Sequence, residues 1–126
     1  MISISQVEAM LDEAAEQMPK ELYRDLNGGI ILLPEAKLHP GHVANDLYIL
    51  GEYHRSHAMG RYIAIYYGSF KQVSRHLSHA QLRKKLAHTL KHEFTHHIES
   101  LAGERDLEIE DEQNIARYLH RHKRKK

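Results

Sequence analysis

The chain has no cysteine, no apolar run long enough to span a bilayer and a formal net charge of only +1, and each lack removes a class of answer. Without cysteine there is neither a disulfide framework nor a thiolate zinc site, so any bound metal must rely on histidine, aspartate and glutamate. The same lack suits a reducing cytoplasm, which is the expected location. Met1 to Ser5 shows no basic n-region, and no continuous apolar h-region follows, so a secreted or membrane-embedded protein is not expected. No internal repeat and no low-complexity linker divides the 126 residues. They are expected to form one domain over residues 1–119, with a basic tail over 120–126 and no room for a separate substrate domain.

The near-zero net charge hides an uneven distribution. Residues up to Gly60 carry an acidic excess and the remainder a basic one, ending in His120-Arg121-His122-Lys123-Arg124-Lys125-Lys126. Such a tail can touch a polyanion. A basic run after a final helix more commonly serves as a solvated end that suits the helix dipole, so nucleic acid is not the expected partner.

What the chain does have is His92-Glu93-Phe94-Thr95-His96, an H-E-x-x-H motif inside a run from Ser78 to Leu101 that reads as one helix. Residues four apart on a helix share a face, so His92 and His96 can offer imidazole nitrogens to one divalent metal. Glu93, rotated by roughly 100°, can hold a water there and take its proton. With zinc lowering the pKa of that water, the set is suited to attack on an amide carbonyl. The bland alternative is a solvated histidine-rich face, since the chain holds twelve histidines. Against it, Leu82, Leu86, Leu90 and Phe94 form one apolar row while His88, His92 and His96 form another on the opposite side.

The other elements follow from spacing. Ser5 and Glu8 read as a capping box for a helix through Val7, Met10, Leu11, Ala14, Ala15 and Met18. Pro19 opens a short second helix through Leu22, Tyr23 and Leu26, which Asn27-Gly28-Gly29 stops. Ile30 to Leu33 reads as a strand buried on both faces and central in its sheet. Leu47 to Tyr53 and Arg61 to Gly68 read as two more, paired as a hairpin through a turn over 54–60. His39, His42, His54 and His57 are assigned to solvent-facing loops. Ser78 and Gln81 cap the motif helix, Gly103 ends it, and a last helix begins at Asp111 and runs to Tyr118. The expected class is α+β, with a small, mostly antiparallel sheet.

Together the order of elements and the motif resemble the small bacterial zincin-like metallopeptidases, zinc proteases with a matrix-metalloprotease-like, minimal zincin domain. The resemblance covers the helix running to Met18-Pro19, the Ile30 to Leu33 strand, the Arg61 to Gly68 strand and the Leu86 to Ile98 helix with His92-Glu93-Phe94-Thr95-His96-His97. It implies a zinc-dependent peptidase acting on peptides or proteins, with His92 and His96 as ligands and Glu93 as base. Metzincins extend the motif with a glycine and a third histidine, whereas Glu99 and Ala102 stand here, so the site is not of that type. A catalytic zinc usually takes a third protein ligand. Glu99 lies at the right helix face but a turn too far. A chain returning after Gly103 can deliver Glu104, Asp106, Glu108, Glu110 or Asp111, and the resemblance places the ligand at Glu110 or Asp111. Those acids have a commoner use in charging the final helix. His88 and His97 are candidates for supporting or alternative ligands.

A peptide in such a site is expected beside an edge strand, here Tyr62 to Tyr67, with Tyr53, Tyr62, Tyr66 or Tyr67 available to steady an oxyanion. Each tyrosine has sheet packing as its ordinary alternative. A second functional class is a catalytically silent metal-binding module that kept the helix and binds a partner protein.

Overall fold

A computed structural model describes the backbone over residues 2–41 and 47–118, and side chains through residue 103. The first helix, α1 (Ile4–Glu16), is capped two residues before the expected position. Ser3 is the cap: its Oγ accepts from Gln6 N at 3.2 Å, and Gln6 Oε1 accepts from Ser3 N at 3.0 Å. The spacing of the two boxes is identical, and Ser3 holds the extended backbone a cap requires while Ser5 is already helical. Val7, Met10 and Leu11 turn inward. Pro19 leads a short 3-10 turn over Lys20–Tyr23, and the chain then enters β1 (Gly29–Leu33).

Four further strands follow, β2 (Lys37–Leu38), β3 (Tyr48–Ile49), β4 (Gly51–Ser56) and β5 (Gly60–Tyr66). The expected Leu47 to Tyr53 strand is thus two strands divided at Leu50, and the second runs on to Ser56, so His54 sits on a strand and not in a turn. β4 and β5 form the expected antiparallel hairpin, with Tyr53 opposite Ile63 and Ser56 opposite Gly60. β1 runs parallel to β5, Gly29 opposite Tyr62 and Leu33 opposite Tyr66. The strand order is β1-β5-β4, and β2 pairs with β3 in a separate antiparallel ribbon.

The sheet is therefore mixed, and two positional expectations are corrected. The Ile30 to Leu33 strand lies at an edge, while β5, expected at the edge, is central, with Ile63 and Ile65 fully buried. Nor is the Ile30 to Leu33 strand buried on both faces, since each of its residues is only half-buried; an aliphatic run does not say which neighbours a strand takes, and the crossover from β1 to β5 decides that.

The expected third strand stops at Tyr66, and α2 (Tyr67–Ser74) follows at once. Its inward residues are Ser69, Phe70 and Ser74, too few apolar groups to print a helical period on the sequence. Gly68 is required there by close approach, since a Cβ would fall 2.5 Å from Ala36 N and 2.6 Å from the Glu35 carbonyl carbon.

Helix α3 (His79–Tyr118) carries the motif. Its cap is the expected one, with Gln81 N bonded to Ser78 Oγ at 3.1 Å and Ser78 N to Gln81 Oε1 at 2.9 Å. Leu82, Leu86, Leu90 and Phe94 are all at most 2% exposed and form the centre of the core with Val7, Leu11, Ile63, Ile65 and Phe70. The helix does not end at Gly103, nor does a separate helix begin at Asp111. A C′ glycine stops a helix by taking positive φ, and among the described glycines only Gly29 and Gly60 do so. Left in helical conformation, Gly103 costs only about 1 kcal/mol against alanine, which a packed helix tolerates. No helix of the described residues is long and apolar enough to cross a membrane.

Candidate metal centre

Helix α3 meets the sheet along β4, and the contact is close. A Cβ on Gly51 would lie 3.0 Å from Thr89 Cγ2, so glycine lets the strand settle onto the helix. Facing β4, α3 presents a second inward row that is polar: Thr89, Glu93 and His97 are 8%, 6% and 0% exposed. The i, i+4 spacing of these three is visible in the sequence, but beside a stronger apolar row it carries no mark of burial.

The motif histidines lie outward on the same turns. His92 Nε2 and His96 Nε2 are 3.2 Å apart, with rings nearly perpendicular at 85°. Two nitrogens bound to one tetrahedral zinc at 2.0–2.1 Å stand roughly 3.3 Å from each other, so the pair fits a shared ion. Glu99 Oε1 lies 3.5 Å from His96 Nδ1, the ring nitrogen directed away from His92. From there the carboxylate can accept from Nδ1–H and leave a lone pair on Nε2, a contact that can orient the ring.

Burial pushes the Glu93 carboxyl above its ordinary value of 4.5; the charges of His96 and His92 act against this, and that of Glu52 adds to it. A carboxylate less content with its charge is a better proton acceptor. Glu52, on β4, has the opposite environment. Its Oε1 accepts from Lys37 Nζ at 2.6 Å, Tyr66 OH at 2.8 Å and His54 Nε2 at 2.9 Å. Burial alone would raise its pKa, but the hydrogen bonds from Lys37 and Tyr66 and the charges of Lys37 and His54 outweigh that, and the net shift is downward from 4.5. A depressed carboxylate stabilises the fold above its unfolded pKa and loses that contribution as pH falls through the folded one. Glu52→Gln is expected to cost about 1–3 kcal/mol at neutral pH. In thermal melts against pH the gap between the two proteins should close below 4.5; a constant gap would refute the charged hub.

Four tyrosines were expected near an oxyanion, and three have committed protons. Tyr66 donates to Glu52, Tyr67 to Ile2 O at 2.7 Å, and Tyr53 to His97 Nδ1 at 2.7 Å. Burial, then the bond to Glu52 and its charge, push the Tyr66 phenol up to about 12, so it stays a donor. Tyr62 stacks on the His54 ring at 5.0 Å. Sequence reasoning missed Glu52 and sent His54 to a solvent loop; the signal was their alternate spacing on one strand face.

Glu52, Tyr53, Arg55, Glu93, His96, Glu99 and Ser100 line an open cleft of about 640 Å³. The geometry thus joins His92, His96 and Glu93 and adds β4 as a wall. Among the described residues no third histidine, cysteine, aspartate or glutamate completes a metal-binding group. Glu110 and Asp111 stand on the unbroken helix, with Glu110 about 21 Å along the axis beyond His96, so the expected return after Gly103 is absent; their side chains lie outside the described residues. The tail over 120–126 lies outside them too.

No protein-family model matches the chain, and no curated protein matches it. Among solved structures it is similar to a conserved hypothetical protein from Thermo thermophilus, at 32% identity and a TM-score of 0.68, over 81% of this chain and 99% of that one. The chain belongs to the same family as that protein, which is described by no activity.

Proposed function

We propose that this chain is a zinc-dependent metallopeptidase of minimal zincin-like fold, acting on peptides or proteins in the cytoplasm. The observation that carries the reading is the His92 to His96 Nε2 separation of 3.2 Å beside the buried Glu93, in a cleft walled by an edge strand. His92 and His96 would hold the ion, and a third protein donor has to come from outside the described side chains. Zinc, when bound, supplies Lewis acidity toward the scissile carbonyl and toward water. Glu93 takes the proton of the attacking water and passes it to the leaving amine. Because β5 is central, the main chain of an extended substrate belongs along β4, the edge strand that lines the cleft together with Glu93 and His96.

The test is zinc per chain, by mass spectrometry on untagged protein, for wild type and a His92→Ala, His96→Ala double variant, followed by a peptide-library screen. About one zinc in the wild type and little in the variant is expected. Equal zinc in both would remove the site. The second reading, a silent metal-binding or protein-interaction module, draws on the missing third donor among the described residues. Stoichiometric zinc with no cleavage of any library peptide would establish it.

A further inference from the structure

His97 follows the second motif histidine, is fully buried, and is tied at both ring nitrogens. Its Nε2 lies 2.7 Å from the Arg24 carbonyl, which can only accept, so Nε2 carries the proton. With a single proton on the ring, Nδ1 holds the lone pair and the Tyr53 hydroxyl, 2.7 Å away, donates to it. The Tyr53 oxygen in turn accepts from Arg61 Nη1 at 3.1 Å, and the same Nη1 donates to Ser100 Oγ at 2.6 Å. With that tautomer the directions along the chain are mutually consistent. The chain joins β4, β5 and the end of the 3-10 turn to residues 97 and 100, on the turn of α3 just past His96.

A second contact holds β4 to the same helix. Gly51 meets Thr89 at the near end of the strand, and Thr89 and His97 are eight residues apart, about 12 Å along the helix. Glu93 lies midway between these two fixed points. Burial energy alone does not call for a polar strut, because an apolar pair of similar shape at positions 53 and 97 would be close to neutral for stability. What the hydrogen-bonded chain adds is a defined spacing between the strand and the helix.

We propose that the Tyr53 to His97 strut sets the height of β4 above Glu93, making Tyr53 and His97 positioning residues for the peptide hydrolysis proposed above. The inference rests on that reading for its consequence, and on the strut's own geometry for its existence. A misplacement of a bound carbonyl by about 1 Å can cost 100-fold in rate. Removing the Tyr53 hydroxyl leaves the ring in the wall and both motif histidines untouched.

The experiment uses full-length, zinc-loaded protein as wild type, Tyr53→Phe and His97→Gln, the last keeping one donor and one acceptor. Tyr53→Phe is expected to lose about 10- to 100-fold in kcat, with KM within about twofold and zinc per chain unchanged, and His97→Gln to retain more activity than His97→Leu. Unchanged kcat in Tyr53→Phe, or a fall that only tracks lost zinc or lost folded protein, overturns the strut. Should the wild type bind zinc and turn over nothing, the function reading fails separately. The strut is then decided by NMR of ¹⁵N-histidine-labelled protein. A proton on His97 Nε2, with β4 amide shifts moved in Tyr53→Phe, supports it, and a proton on Nδ1 or unmoved β4 amides overturns it.

Discussion

Glu93→Gln is expected to lower kcat by about 10³-fold while zinc content stays at the wild-type level. In the proposed reaction the carboxylate is the proton acceptor beside the two imidazoles, and glutamine keeps its size while losing its basicity. The same substitution should raise stability, because a group that burial holds above 4.5 pays for its charge in the folded state. The sign follows from linkage: with the folded pKa raised, the penalty is absent below 4.5 and grows as pH rises through the shifted value. A melting temperature for metal-free Glu93→Gln above that of metal-free wild type at pH 7, with convergence in acid, would establish the strain. Undiminished turnover would remove Glu93 as the base, and a variant melting below wild type would contradict the desolvated carboxylate.

Phe94→Ala is expected to cost about 3–5 kcal/mol in denaturant unfolding. The ring is 1% exposed, and it meets Tyr23 edge-on at a centroid distance of 4.9 Å, while the Tyr23 hydroxyl donates to the Ala15 carbonyl at 2.5 Å. The residue therefore ties the motif turn to the 3-10 turn and, through Tyr23, to α1. It lies inside the H-E-x-x-H motif yet is buried on the side away from His92 and His96, so in the proposed reading folded variant protein at low temperature should still take up zinc. A loss below about 1 kcal/mol would show that the core can close over the gap.

Much of this was legible in the sequence because it depends on near neighbours along the chain. A helix repeats every 3.6 residues, so Leu82, Leu86, Leu90 and Phe94 declared the buried row of α3, and the opposite row of His92 and His96 followed from the same period. The Ser78 and Gln81 cap and the β4 to β5 hairpin are local in the same sense. The extent of α3 was not legible, since Gly103 is compatible both with a helix stop and with a helix interior, and its backbone angle decides between them.

What tertiary structure alone decided is lateral. Whether Ile30 to Leu33 lies at the centre or the edge depends on which strand reaches it from a distant part of the chain. The charges of Glu52 and His54 act on Glu93 because β4 packs onto α3, and His97 became a strut once Arg24 and Tyr53 arrived from two other elements. The sequence by itself determined the two imidazoles and the carboxylate on one helix, because their spacing is that of the helix. The wall they work against, its charged hub and its height above Glu93 come from pairings between distant segments, which no local period encodes.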